Sequence, residues 1–255
     1  MKKTLHFVYG VTAYLIFFGT FLYLIGFVGG VPVLKSVNSG AAGVIWPAIL
    51  INLSFILLFG VQHTIMARQS FKDKWTQTVP KSIERSTFVL ITSGILITMF
   101  LFWQPLPQVL WNIENETARW ALYGISATGW ALVLLSTFLI NHFDLFGLRQ
   151  VWLPMVGKPY TPLQFKKVGP YKWIRHPLML GFLVAFWFTP TMTLGHLVLA
   201  GAFTSYILIG LHFEERELVQ IHGQDYIQYQ QTTSKLFPLP KAKGQAQTVP
   251  AAEAL

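Results

Sequence analysis

Residues 169–182, GPYKWIRHPLMLGF, and residues 212–223, HFEERELVQIHG, bracket an apolar hairpin and carry charged and hydrogen-bonding groups at both of its feet. Pro177 suits the first position of a helix, where its fixed φ is already helical and no N–H is missed. That helix would start beside Arg175 and direct its free N–H groups and positive dipole end towards residues 169–176. Arg175 adds a planar fork for a carboxylate or phosphate, and Gly169 lets backbone approach a ligand closely. This foot therefore suits an anionic group. At the other foot, Glu214 and Glu215 can hold an ammonium, a sulfonium or a pair of ribose hydroxyls.

The rest of the chain reads as a scaffold for that hairpin. Of 255 residues, 53% are hydrophobic and only 11% charged, with mean hydropathy +0.49, against roughly 25% charged in soluble domains. The solvent for most of this chain is lipid. Apolar runs at about 7–28, 44–66, 86–103 and 120–140 approach or exceed the roughly 20 residues that span a bilayer. The first is too long for a cleaved signal peptide. The hairpin arms, about 177–188 and 194–211, are short for spans. An amphipathic segment at about 213–229 follows, and then Leu236-Phe237-Pro238 touches down. The expected fold class is all-α: a polytopic integral membrane protein with four spans plus a C-terminal helical hairpin, about six crossings. Residues 1–240 form a single domain in this reading, with 169–240 as its cofactor-binding part. Residues 241–255 have a disordered composition.

Charge sets the orientation. The N-terminus, the 67–85 loop, the 145–175 segment and the C-terminus are rich in Lys and Arg, whereas 29–42, 104–119 and 189–191 are not. Under the positive-inside rule both termini face the cytoplasm, together with His63, His142, Asp144, Arg175, His176 and Glu214. An alternative topology keeps four full spans and bends the hairpin so that it enters and returns. The net charge of +9 is thus accounted for without nucleic acid. The absence of cysteine excludes disulfides, thiolate metal sites and a cysteine nucleophile.

An anion site and a cation or hydroxyl site at the feet of one hairpin match a zwitterionic nucleoside such as S-adenosylmethionine. GPYKWIRHPLMLGF, with EERELVQIHGQDYIQYQ at 214–230 and LFP at 236–238, resembles the membrane methyltransferase group that includes isoprenylcysteine carboxyl methyltransferases and phospholipid methyltransferases. Met179 departs from the tyrosine most of that group carries. RHPLMLGFLVAFWFTPTMTLGHL at 175–197, with FGVQHTIMARQSFK at 59–72, is similar to the methanethiol S-methyltransferases, which share the methionine. The resemblance implies that Gly169, Tyr171, Arg175, His176, Pro177, Gly181, Glu214 and Glu215 bind S-adenosylmethionine. It also implies that a small thiol is methylated to a thioether, methanethiol to dimethyl sulfide.

A thiol must lose its proton before it attacks, so a base is needed within reach. Asp144 with His142 is the first candidate, because an acid at the end of a membrane helix is costly unless paired or functional. Its plainer role is a partner for Arg149. Tyr171 and His63 are further catalytic candidates; the plainer role of His63 is a hydrogen bond between helices. For Arg175 and Glu214 the plainer role is an ion pair across the hairpin feet, and for His176 a helix cap. Two other readings compete. A prenylcysteine carboxylate or a phospholipid amine could be the acceptor. His63, His142, His176 and His212 could ligate haem, a reading that leaves the glutamate pair unexplained. No inverted halves point to a transporter, no metal spacing is found, and the oligomeric state stays open.

Overall fold

The computed structural model describes residues 1–30, 33–163 and 165–238. Five helices in it are long and apolar enough to cross a membrane: α1 (Lys2–Gly29), α2 (Ile45–Ala67), α4 (Lys81–Phe102), α5 (Glu116–Ile140) and α9 (Leu194–His222). Leu50, Leu57, Leu101, Leu135 and Ile209 point outward and are exposed, as an apolar solvent requires. The protein is an integral membrane protein. Shorter elements complete it: α3 (Gln69–Trp75), α6 (His142–Leu145), α7 (Leu148–Met155), a 3-10 turn (Gly169–Lys172), α8 (Pro177–Trp187) and α10 (Gln224–Thr232).

Several boundaries differ from the sequence expectation. α4 begins at Lys81 rather than Ser86, which places Arg85 on a helix face. α9 does not end near residue 211. It carries Glu214 and Glu215 onward to His222, and only Gly223 separates it from α10. Charged residues after an apolar run resemble a helix exit, but the backbone hydrogen bonding continues into water. A strand pair was also not expected. β1 (Val109–Asn112) pairs antiparallel with β2 (Thr191–Thr193), matching Trp111 with Met192. The tail beyond residue 240 lies outside the described residues.

This strand pair settles how the hairpin runs. At eleven residues, α8 is about 16 Å long, roughly half of a 30 Å hydrocarbon core. Residues 188–193 extend the arm to β1, in the connection between α4 and α5. The side chain of Thr193 reaches across to Asn38 (2.6 Å), in the loop after α1. The opposite end of α8 meets α9 at Glu215. The first arm therefore runs from one end of the bundle to the other, half as helix and half as extended chain, and is not a shallow bend. Its extended part is satisfied by protein, with Ile113 N donating to Pro190 O (2.9 Å) and Leu194 N to Gln108 O (2.8 Å).

α8 lies directly on α5 at a glycine pair. A Cβ on Gly181 would meet Gly129 O at 2.7 Å and Val133 N at 2.9 Å, and one on Gly129 would meet Gly181 O at 2.7 Å. Gly181, assigned to the cofactor by resemblance, is thus a packing residue whose missing side chain faces α5. Gly181→Ala adds helix propensity of about 1 kcal/mol, yet the backbone contact leaves no room, and a net loss of roughly 1–3 kcal/mol is expected. Thermal unfolding of the detergent-purified variant checks this; an unchanged midpoint contradicts the close approach.

Candidate active site

The basic end of the bundle is organised by Arg175. Its guanidinium grips Glu215 with Nε to Oε1 at 2.6 Å and Nη2 to Oε2 at 2.8 Å. Nη1 donates to the carbonyls of Gln230 and Thr233, at the C-terminal end of α10. His176 Nε2 faces Glu215 Oε1 at 2.9 Å; the carboxylate can only accept, so this nitrogen carries the proton. Tyr226 and Gln230 also donate to Glu215, each at 3.3 Å. The backbone joins in, with Arg175 N bonded to Ser234 O and His176 N to Lys235 O. Leu236 packs beneath against Ile207 and Leu211. The segment after α10 is therefore a strap across the hairpin feet.

An ion pair across those feet does form, but with Glu215 and not Glu214. Glu215 is saturated, and its part in the site is to hold Arg175 and His176 in place. His176 begins α8 without capping it by its side chain. Glu214, one residue earlier and about 100° round the helix, accepts no hydrogen bond among the described residues. It comes within 3.7 Å of His176 Nδ1, and its side chain is 45% exposed against 13% for Glu215.

An arc of polar groups continues from Glu214. On one side stands the Tyr171 hydroxyl, at the hydroxyl of Ser136 on α5 and within electrostatic reach of Glu214. Gly169 sets that turn with φ +51°, and a Cβ there would strike Leu139 at 2.9 Å. Tyr229 holds the turn by donating to Tyr171 O. Burial pushes the Tyr171 hydroxyl above its usual range, so it serves as a donor and not as a base.

On the other side Tyr206 of α9 lies near Glu214 and Thr64 and edge-on to His63 at 6.4 Å. His63 also stacks on Phe59 at 5.3 Å, and its Nδ1 is buried without a partner. The Ser136 hydroxyl is buried, with Tyr171 as its neighbour. Arg85 lies 5.4 Å over Phe88 and within electrostatic reach of His63 and Asp144, yet forms no ion pair or hydrogen bond among the described residues. A helix bundle rarely leaves so many polar groups unanswered at one end. A zwitterion that brings a carboxylate, an ammonium and hydroxyls answers them.

His142 and Asp144 do not form a catalytic pair. The His142 ring is fully engaged inside the bundle, Nε2 with Tyr14 at 2.8 Å and Nδ1 with Thr137 at 2.8 Å, and is stacked on Phe138. Burial lowers its pKa and keeps it neutral. The two residues stand two apart on α6, so their side chains leave nearly opposite sides of that helical turn. Asp144 takes its plainer role, pairing with Arg149 at 2.9 Å and accepting from Tyr160 at 3.3 Å. The four histidines of the haem reading have separate surroundings: His63 lies on Phe59, His142 on Tyr14, His176 on Glu215, and His212 beside Phe213. Sequence reasoning missed Arg85, Ser136, Tyr206, Tyr226 and Gln230. Only the spacing of Tyr206, Gly210 and Glu214, four residues apart on one helix face, could have indicated part of this.

No family model and no solved structure matches the chain. It is 49% identical over 240 residues to the methanethiol S-methyltransferase of Mycobacterium tuberculosis, covering 94% of this chain and 98% of that one. It is 50% identical over 236 residues to methanethiol S-methyltransferase 1 of Bradyrhizobium diazoefficiens, covering 92% and 83%. A more distant likeness, 27% over 181 residues, is to Nurim of Rattus norvegicus, covering 68% and 69%. Likeness of this degree along nearly the whole length, including the hairpin feet, leads to one conclusion: the chain belongs to the methanethiol S-methyltransferase family.

Proposed function

We propose that the protein transfers a methyl group to a small thiol, methanethiol to dimethyl sulfide, with S-adenosylmethionine as donor, in one membrane domain spanning residues 1–240. The observation that carries this reading beyond family membership is the open carboxylate of Glu214, set beside Tyr171 and facing unanswered polar groups on α2 and α4. The basic loops gathered at this end support a cytoplasmic position for it, where a charged cofactor is available. A neutral thiol is free to arrive through lipid.

Bound there, S-adenosylmethionine supplies an electrophilic methyl group that a thiolate takes in one displacement, the electron pair of the broken bond remaining on the departing sulfur. Glu214 would accept from the cofactor's ammonium or ribose hydroxyls, and Arg85 would offer its guanidinium to the cofactor's carboxylate. Tyr171, with Ser136 beside it, would donate one further hydrogen bond. Gly169, Pro177, Arg175, His176 and Glu215 hold the turn and the start of α8 at the right distance. His63 presents an unpartnered buried nitrogen to accept the thiol proton. Asp144, already bonded to Arg149 and Tyr160, balances the charge of Arg85. The water-poor surroundings favour a step in which thiolate and sulfonium charges cancel.

Purified protein in detergent, given methanethiol and S-adenosylmethionine, is expected to release dimethyl sulfide into the headspace in step with S-adenosylhomocysteine. Cofactor binding without this product moves the acceptor to a prenylcysteine carboxylate or a phospholipid amine. Absence of both product and binding in folded protein refutes methyl transfer.

A further inference from the structure

Leu199, Phe203, Tyr206, Gly210 and Glu214 follow one another at three- and four-residue spacing and share one face of α9. The face points inward. Leu199 and Phe203 are buried at 0% and 6% exposure, and Tyr206 lies flat on α2, where a Cβ on Gly60 would meet its ring at 2.9 Å. At Gly210 the packing stops: a Cβ built there meets no atom within 4 Å. One turn further, the Arg68 guanidinium lies over the ring of exposed Phe213 at 5.2 Å, and Glu214 follows it. The face that is closed at Leu199 and Phe203 is therefore open at half-buried Gly210, between the Tyr206 ring and Glu214.

We infer that the space over Gly210 holds the methyl acceptor and that this glycine admits a thiol of methanethiol size. The inference rests on the methyl-transfer reading and adds a residue that decides specificity. The acceptor is small and apolar, so it belongs on the side of the space walled by Tyr206 and the Phe59–His63 stack. The zwitterion belongs against Glu214. Gly201 serves as a comparison, because it also meets nothing within 4 Å but shares its face with exposed Ser205 and Leu208 and so looks into lipid.

Gly210→Ala is expected to keep or slightly raise the melting temperature, since alanine favours helix and nothing obstructs it. It should lower kcat/KM for methanethiol by about tenfold or more, and for ethanethiol further, with cofactor affinity unchanged. Gly201→Ala should leave the kinetics alone. A second test does not depend on activity. The chain has no cysteine, so Gly210→Cys and Gly201→Cys each introduce a single thiol. Methyl methanethiosulfonate transfers a methylthio group to a thiolate, forming a disulfide and releasing methanesulfinate. Mass spectrometry should find Gly210→Cys modified at least about tenfold faster, because a lipid-facing thiol stays protonated. Equal rates at the two positions, or unchanged methanethiol kinetics in folded Gly210→Ala, overturn the proposal. Fast labelling without dimethyl sulfide from the wild type keeps the cavity but refutes the methyl-transfer reading on which the acceptor assignment rests.

Discussion

Glu214→Gln should fold as the wild type does and lose about ten- to 150-fold in methyl transfer, mostly through weaker cofactor binding. The side chain is half open and accepts no hydrogen bond from the described residues, so the fold does not depend on its charge. Glutamine keeps the shape but loses the negative charge that an ammonium or ribose pair would use. A hydrogen bond to a charged group contributes about 1.5–3 kcal/mol, and each 1.4 kcal/mol is a factor of ten. Calorimetric titration with S-adenosylmethionine, beside initial rates, reads both quantities. Wild-type affinity in this variant would remove Glu214 from the site.

The adjacent substitution should do the opposite. Glu215→Ala leaves the Arg175 guanidinium, 7% exposed at its side chain, buried without its carboxylate, and removes the acceptor that His176, Tyr226 and Gln230 share. Breaking a buried pair costs about 3–5 kcal/mol, a large part of the roughly 5–15 kcal/mol that keeps a protein folded. The expected result is little monodisperse protein and a sharply lowered unfolding temperature, with activity lost as a consequence. Arg175→Lys should fare little better, because an ammonium cannot reproduce the two-pronged contact. Arg175→Met with Glu215→Leu should recover only part of the stability, since it removes the stranded charge but leaves His176, Tyr226 and Gln230 without their shared acceptor. If Glu215→Ala melts with the wild type, the strap across the hairpin feet is not what holds this end together.

These two neighbours mark how far the chain could be read without coordinates. The four leading apolar runs became α1, α2, α4 and α5 because hydrophobic length is a local property that lipid enforces. The Arg-His-Pro lead and the glutamate pair could be placed at opposite feet of one hairpin because Pro177 opens a helix and the intervening residues are apolar. Gly169, Tyr171, Arg175, His176 and Glu214 do gather at one end of the bundle. Which glutamate would meet Arg175 was out of reach, since adjacent residues differ by about 100° in direction and only the neighbouring helix decides which one it touches. Asp144 and His142 diverge for a similar reason, standing two residues apart on α6, and Gly181 faces α5 because α8 is seated on Gly129.

By itself the sequence determined the membrane class, the arrangement of loops at two ends and the hairpin that carries the chemistry, all of which follow from hydropathy, charge and backbone constraints along the chain. Tertiary structure alone decided which polar groups are consumed in holding the fold and which are left for a ligand. That division depends on rotation and depth of helices against one another. Arg175 and Glu215 satisfy each other because α8, α9 and α10 meet there, whereas Glu214 accepts no hydrogen bond, Arg85 makes no ion pair and His63 Nδ1 has no partner among the described residues, because the elements around them bring no complementary group into contact.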